Sequence, residues 1–100
     1  MIYRMRTINL RAEHAPARDA AVRAAAYASE HFPDIQVEIL ENIAGPGHQI
    51  HMVTRCVSLA ALEAYEAQRK SDSGWQVLVE EFRSLAPGVD TVDYLYRTVA

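Results

Sequence analysis

"PGHQIHMVTRC", residues 46–56, decides how this chain is read. Pro46 and Gly47 make a turn, and the residues after it alternate with a period of two, as a strand does. One side carries Ile50, Met52, Thr54 and Cys56, a set suited to a core. The other carries Gln49, His51, Val53 and Arg55 and raises the question of what it faces. Upstream, "IQVEILENI" (35–43) sets Ile35, Val37 and Ile39 against Gln36 and Glu38, a half-buried strand. With "AGPG" between them, the two strands predict a hairpin.

Outward from the hairpin the elements succeed one another with short connections. "IYRMRTINL" (2–10) predicts a strand with Tyr3, Met5 and Thr7 on one face and Arg4, Arg6 and Ile8 on the other. Residues 16–31 predict a helix opened by Pro16, with Ala21, Ala25, Ala28 and Phe32 on one stripe and Val22 beside it. Ser58 caps a helix over 59–69 that buries Leu59, Leu62 and Tyr65. Ser73 and Gln76 form a capping-box pattern that opens a third helix, with Trp75, Leu78, Val79, Phe82 and Leu85 on one face. Pro87-Gly88 ends it, and "VDTVDYLYRTV" (89–99) predicts the last strand. The order β-α-β-β-α(α)-β is the ferredoxin-like α+β arrangement: a four-stranded antiparallel sheet with its helices on one face. The other face has no cover supplied by this chain.

Composition bounds the function. The 100 residues suit a single domain over 1–100, and half of them are hydrophobic, enough for a packed core. A net charge of −3 and scattered arginines argue against nucleic acid as a partner. One cysteine, Cys56, permits neither an internal disulfide nor a thiolate cluster. No apolar run reaches the length of a membrane span, and "MIYRMRTINL" breaks its apolar residues with arginines, unlike a secretory signal. A cytoplasmic protein without membrane contact is expected.

Three segments resemble the dimeric α+β barrel superfamily, within it the NIPSNAP-type and antibiotic-monooxygenase-like domains. They are "QIHMVTRCVSLAALEAYEAQRK" (49–70), "SDSGWQVLVEEF" (71–82), with a Trp after a short polar turn, and "DYLYRTV" (93–99). The resemblance implies a homodimer with two sheets face to face and a cavity in each subunit between sheet and helices. Its members include small oxygenases, isomerases, haem-degrading enzymes and proteins of unknown activity, so the fold does not select a reaction. In the oxygenases a Trp, a His and an Asn can be functional; Trp75 lies in a comparable segment, whereas Asn9 and Asn42 are only nominal candidates for the Asn.

Strand alternation groups Arg4, Arg6, Glu38, His51 and Arg55 on the side away from the helices. Such a cluster is either a set of charge pairs in a dimer interface or an anion-binding, acid/base site with His51 as proton shuttle. Trp75, Tyr65 and Phe82, with Tyr27 and Tyr94 or Tyr96, either pack an ordinary core or line a pocket for a flat aromatic ligand. The candidate site is therefore His51 for catalysis and Trp75, Tyr65, Phe82, Arg55 and Arg6 for ligand binding. No cofactor is expected, and no metal: His48 and His51 point to opposite faces of a strand. His14 and His31 bracket a helix about 25 Å long at ~1.5 Å per residue. Cys56 reads as a buried structural thiol, and "AGPGH" (44–48) lacks phosphate-loop spacing.

The expected protein is thus a homodimeric barrel binding a small aromatic or hydrophobic molecule. The alternatives are a cofactor-independent oxygenase, isomerase or cyclase on an aromatic or polyketide-like substrate, and a structural or regulatory subunit without catalysis.

Overall fold

The computed structural model describes residues 1–11 and 14–100. Its elements are β1 (Ile2–Asn9), α1 (Ala15–His31), β2 (Gln36–Glu41), β3 (Gln49–Cys56), α2 (Leu59–Ser71), α3 (Ser73–Leu85) and β4 (Asp90–Arg97). The strands form one antiparallel sheet in the order β2-β3-β1-β4, which is the ferredoxin-like α+β fold.

The hairpin has the expected sides. Ile50, Thr54 and Cys56 are buried under the helices, and Met52 packs on the same core. β2 is shorter than expected because Asn42 leaves the ladder: its amide donates to Pro46 O at 2.7 Å and to Gln49 Oε1 at 2.9 Å, which folds the turn. His48 in that turn takes a positive φ of 61°.

α1 is built to come close to the sheet. Ala17, Ala20, Ala21, Ala24, Ala25 and Ala28 are all buried, and the helix lies against β2 and α3. Val22, expected beside the buried stripe, is exposed instead. Two further stripe residues also face out: Leu59 and Leu85 stand at the ends of α2 and α3, where the helices overhang the core.

The α2–α3 junction is tighter than the sequence suggests. α2 runs on to Ser71, and the N-cap of α3 is Asp72 rather than Ser73. The Asp72 carboxylate accepts from Trp75 N at 2.8 Å and from the Tyr27 hydroxyl of α1 at 2.6 Å. Gln76 does not close a box but donates to Arg69 O at 3.1 Å. A Cβ at Gly74 would meet the Tyr27 hydroxyl and ring, so a side chain there would have to displace Tyr27. The bonds from Tyr27 and from Trp75 N hold the Asp72 carboxyl below its usual range.

A depressed folded-state value makes this cap a source of stability above the unfolded carboxyl range, lost as pH falls through the folded value. Asp72→Ala should therefore lower the thermal midpoint at pH 7 by a few degrees. The gap between variant and wild type should close below about pH 4, as followed by circular dichroism against pH.

Candidate functional site

Side-chain parity along β1 places the charges. Arg4 pairs across the ladder with Thr54, Arg6 with Met52 and Ile8 with Ile50, so all three share the helix-covered face. This corrects the expected grouping of Arg4 and Arg6 with the face away from the helices. The physical reason is that the covered face supplies counter-charges: Arg4 meets Glu66 of α2, and Arg6 makes two bonds to Asp93 of β4 at 2.8 and 2.9 Å. The Arg6 bond holds the Asp93 carboxyl below its ordinary range. Ile8, the third residue of that parity, is buried in a small cluster with Leu10, Ala17, Ala21 and Ile50.

A cavity of about 550 Å³ opens between this face and α3. Its walls are Ile8 and Met52 from the sheet, Ala21 and Ala24 from α1, and Trp75, Leu78, Val79 and Phe82 from α3. Arg6, Arg69 and Arg83 bring charge to the same cavity. Trp75 is 6 % exposed and forms part of both core and cavity wall. The space exists because α3 lies against α1 and makes no comparable approach to a strand. A second, more polar hollow of about 380 Å³ shares Arg6, Arg69, Trp75, Val79 and Arg83 with the first.

Of the candidate residues, Arg6, Trp75 and Phe82 therefore meet at the cavity. Tyr65 is buried beside it, its ring edge-on to Phe32 and capped by the Arg69 guanidinium 4.5 Å from the ring centroid. Burial pushes the Tyr65 hydroxyl up, against the pull of Arg69 and Arg4. His51 and Arg55 stand on the open face. Arg69 and Arg83 were not singled out in the sequence. Only the return of α2 and α3 over β1 brings them together with Arg6.

The open face holds a different arrangement. The His51 ring lies between Thr7 Oγ1, 2.9 Å from Nδ1, and Asn42 Oδ1, 2.6 Å from Nε2. The Asn42 amide already donates to Pro46 O and Gln49, and Gln49 donates to Asn9 Oδ1 at 2.8 Å. With Oδ1 as acceptor, a neutral His51 donates from Nε2 and accepts the Thr7 hydroxyl at Nδ1. Both nominal asparagines thus belong to this network, across the sheet from Trp75. Arg55 and Glu38 share the face but form no ion pair; they border a shallow hollow with Tyr3 and Val53. Beside them lie Val92, Tyr94 and Tyr96 of β4, all exposed, with the two tyrosine rings stacked 6.2 Å apart. Among the described residues no group of three or more His, Cys, Asp or Glu side chains is placed to hold a metal. Cys56 is buried, its thiol 3.4 Å from Ser58 O.

Fold and cavity together define a ferredoxin-like domain of the kind found in antibiotic-monooxygenase-like and NIPSNAP proteins. SnoaB, a cofactor-independent oxygenase from Streptomyces nogalater, superposes with a TM-score of 0.74 at 10% identity over 99% of this chain and 93% of that one. A NIPSNAP family protein with unknown function from Agrobacterium tumefaciens gives 0.73 at 20% identity, over 100% and 91%. An antibiotic biosynthesis monooxygenase gives 0.72 at 12% identity, over the whole of both chains. At these identities the likeness establishes the fold. No protein-family model and no curated protein matches the sequence. No described helix is long and apolar enough to cross a membrane.

Trp75→Ala removes a side chain that closes the core cluster around Tyr65 and Phe32. It should cost about 3 kcal/mol in a denaturant titration, the low end for such a truncation because one side of the ring already borders space.

Proposed function

We propose that this chain is a homodimeric, cytoplasmic α+β barrel that binds a small aromatic or hydrophobic molecule in the cavity under α3. The observation that carries this reading is the apolar cavity of about 550 Å³ walled by Trp75, Leu78, Val79 and Phe82. A subunit with a purely structural role would be expected to fill that volume with its own side chains. Pockets of this size and lining suit small organic ligands.

The second half of the reading, dimerisation, rests on the open face. Leu40, Val92, Tyr94 and Tyr96 are exposed there, and no described element covers them. A face carrying that much apolar surface beside a satisfied His51–Asn42 network suits a second sheet better than water. On this reading His51 and Arg55 serve the interface, and a proton-transfer role for His51 requires a ligand that reaches the open face.

Cofactor-independent oxygenation of an aromatic or polyketide-like substrate is the second reading. It is favoured by the structural likeness to SnoaB together with Trp75 in the cavity wall. It differs from binding alone in requiring oxygen consumption with substrate.

Two measurements test the proposal. Sedimentation at micromolar concentration should give about twice the 11.2 kDa chain mass, and Tyr94→Asp should shift it to the monomer; a wild-type monomer sinks the interface. Naphthalene-sized aromatic probes should quench Trp75, the one tryptophan, with dissociation constants of about a millimolar or tighter. Val79→Phe, which adds bulk at the cavity wall from a half-buried position, should weaken that quenching while the thermal midpoint stays within a few degrees of wild type. Failure of all such probes to bind would end the ligand reading.

A further inference from the structure

The polar hollow beside the cavity is lined by five cationic side chains, Arg4, Arg6, Arg69, Lys70 and Arg83, and by one carboxylate, Glu66. Three of the cations have acidic neighbours. Arg4 is paired with Glu66, Arg6 is held by Asp93, and Arg83 reaches Glu80 at 3.4 Å on the surface. Among the described residues Arg69 and Lys70 meet no carboxylate.

Burial makes this imbalance informative. Arg4 is only 5 % exposed, yet its Nε has no hydrogen-bond partner. The Nε of Arg69 is likewise buried without a partner, its guanidinium lying over the buried Tyr65 ring. Burial first, and then the Arg69 and Arg6 charges, pull the Arg4 guanidinium below the arginine range, with Glu66 opposing. An arginine does not lose its proton in a protein, so the group stays charged with its desolvation incompletely offset. Two neighbouring guanidinium groups, each with a buried Nε left unpaired, next to an excess of positive charge, fit an anion better than the neutral interior of a fold. The aromatic surroundings agree: Arg69 lies over Tyr65 and also over Trp75, 5.1 Å from the latter's ring centroid, so charge and cavity wall meet at one side chain.

We infer that Arg4 and Arg69, with Arg6 and Arg83 at the rim, form a carboxylate subsite at the polar end of the cavity, so that the ligand is an apolar, aromatic-sized carboxylic acid bound as its anion. The apolar body occupies the space under α3, and the carboxylate pairs with the guanidinium groups that line the hollow. Planar guanidinium forks match a carboxylate with two bonds, which a neutral alcohol cannot reproduce. This inference rests on the ligand reading of the cavity and narrows it to a substrate class.

The test compares 2-naphthoate with its neutral counterpart 2-naphthalenemethanol on the whole protein, by calorimetry and by Trp75 quenching. Naphthoate should bind about tenfold tighter or better and lose much of that advantage in 1 M salt, where the Debye length is about 3 Å. Arg69→Met should remove about tenfold from naphthoate binding and leave the alcohol unchanged, and Arg69→Lys should restore only part. Arg69 is preferred to Arg4 because it is only partly buried, and a thermal midpoint near wild type confirms folding. Equal binding of the two probes, or an Arg69→Met variant that weakens both alike, overturns the carboxylate subsite while the apolar cavity stands as a ligand site. Binding of neither probe overturns both.

Discussion

The close seating of α1 on the sheet governs everything above the strands. Six alanines bring the helix down onto β2 and β3, where larger residues would hold it away. α3 then leans on α1 rather than on β1 and β4. Its large side chains Trp75, Leu78, Val79 and Phe82 pack on the edges of the two core clusters, and the cavity is what is left between α3 and the sheet. Small residues in one helix thus set the volume available beneath another.

The hairpin, the element order and the covered side of β3 were legible in the sequence because a period of two with Ile, Val and Met on one parity admits few alternatives. The same logic gave both parities of β1 correctly but assigned them to the wrong faces. Arg4 and Arg6 carry most of the visible polarity of that strand, and polarity argues for solvent. What overrides it is Glu66, sixty-two residues away, and Asp93, eighty-seven residues away, which neutralise the arginines beneath the helices. Counter-charges at such separation have no local signature, so a buried arginine looks like an exposed one until the chain is folded. Trp75 and Phe82 were found from helical periodicity; Arg69 and Arg83 sit on the flanks of their helices, where nothing in the spacing marks them.

The two faces of the sheet divide the polar chemistry. On the covered side, the polar hollow has more cations than carboxylates, with Arg4 and Arg69 each leaving a buried Nε unmatched. On the open side, the chain from Thr7 through His51, Asn42 and Gln49 to Asn9 links each side chain to the next by a hydrogen bond and, with His51 neutral, carries no formal charge. A satisfied neutral network can be covered by another surface at little electrostatic expense, whereas an unsatisfied cationic one attracts a counter-ion. On the proposed reading, assembly and ligand recognition are kept apart by a single layer of backbone.

The Tyr27 hydroxyl occupies the place where any side chain at position 74 would stand, and it is bonded to the residue that starts α3. α1 and the head of α3 are therefore coupled as two parts on one pin, with Trp75 mounted directly beyond it. A ligand that pushes Trp75 aside works against α1 as well as against its own helix. The cavity should consequently yield by repositioning the helical layer as a unit over a stationary sheet, and the stiffness felt by a ligand is set by a contact that it never touches.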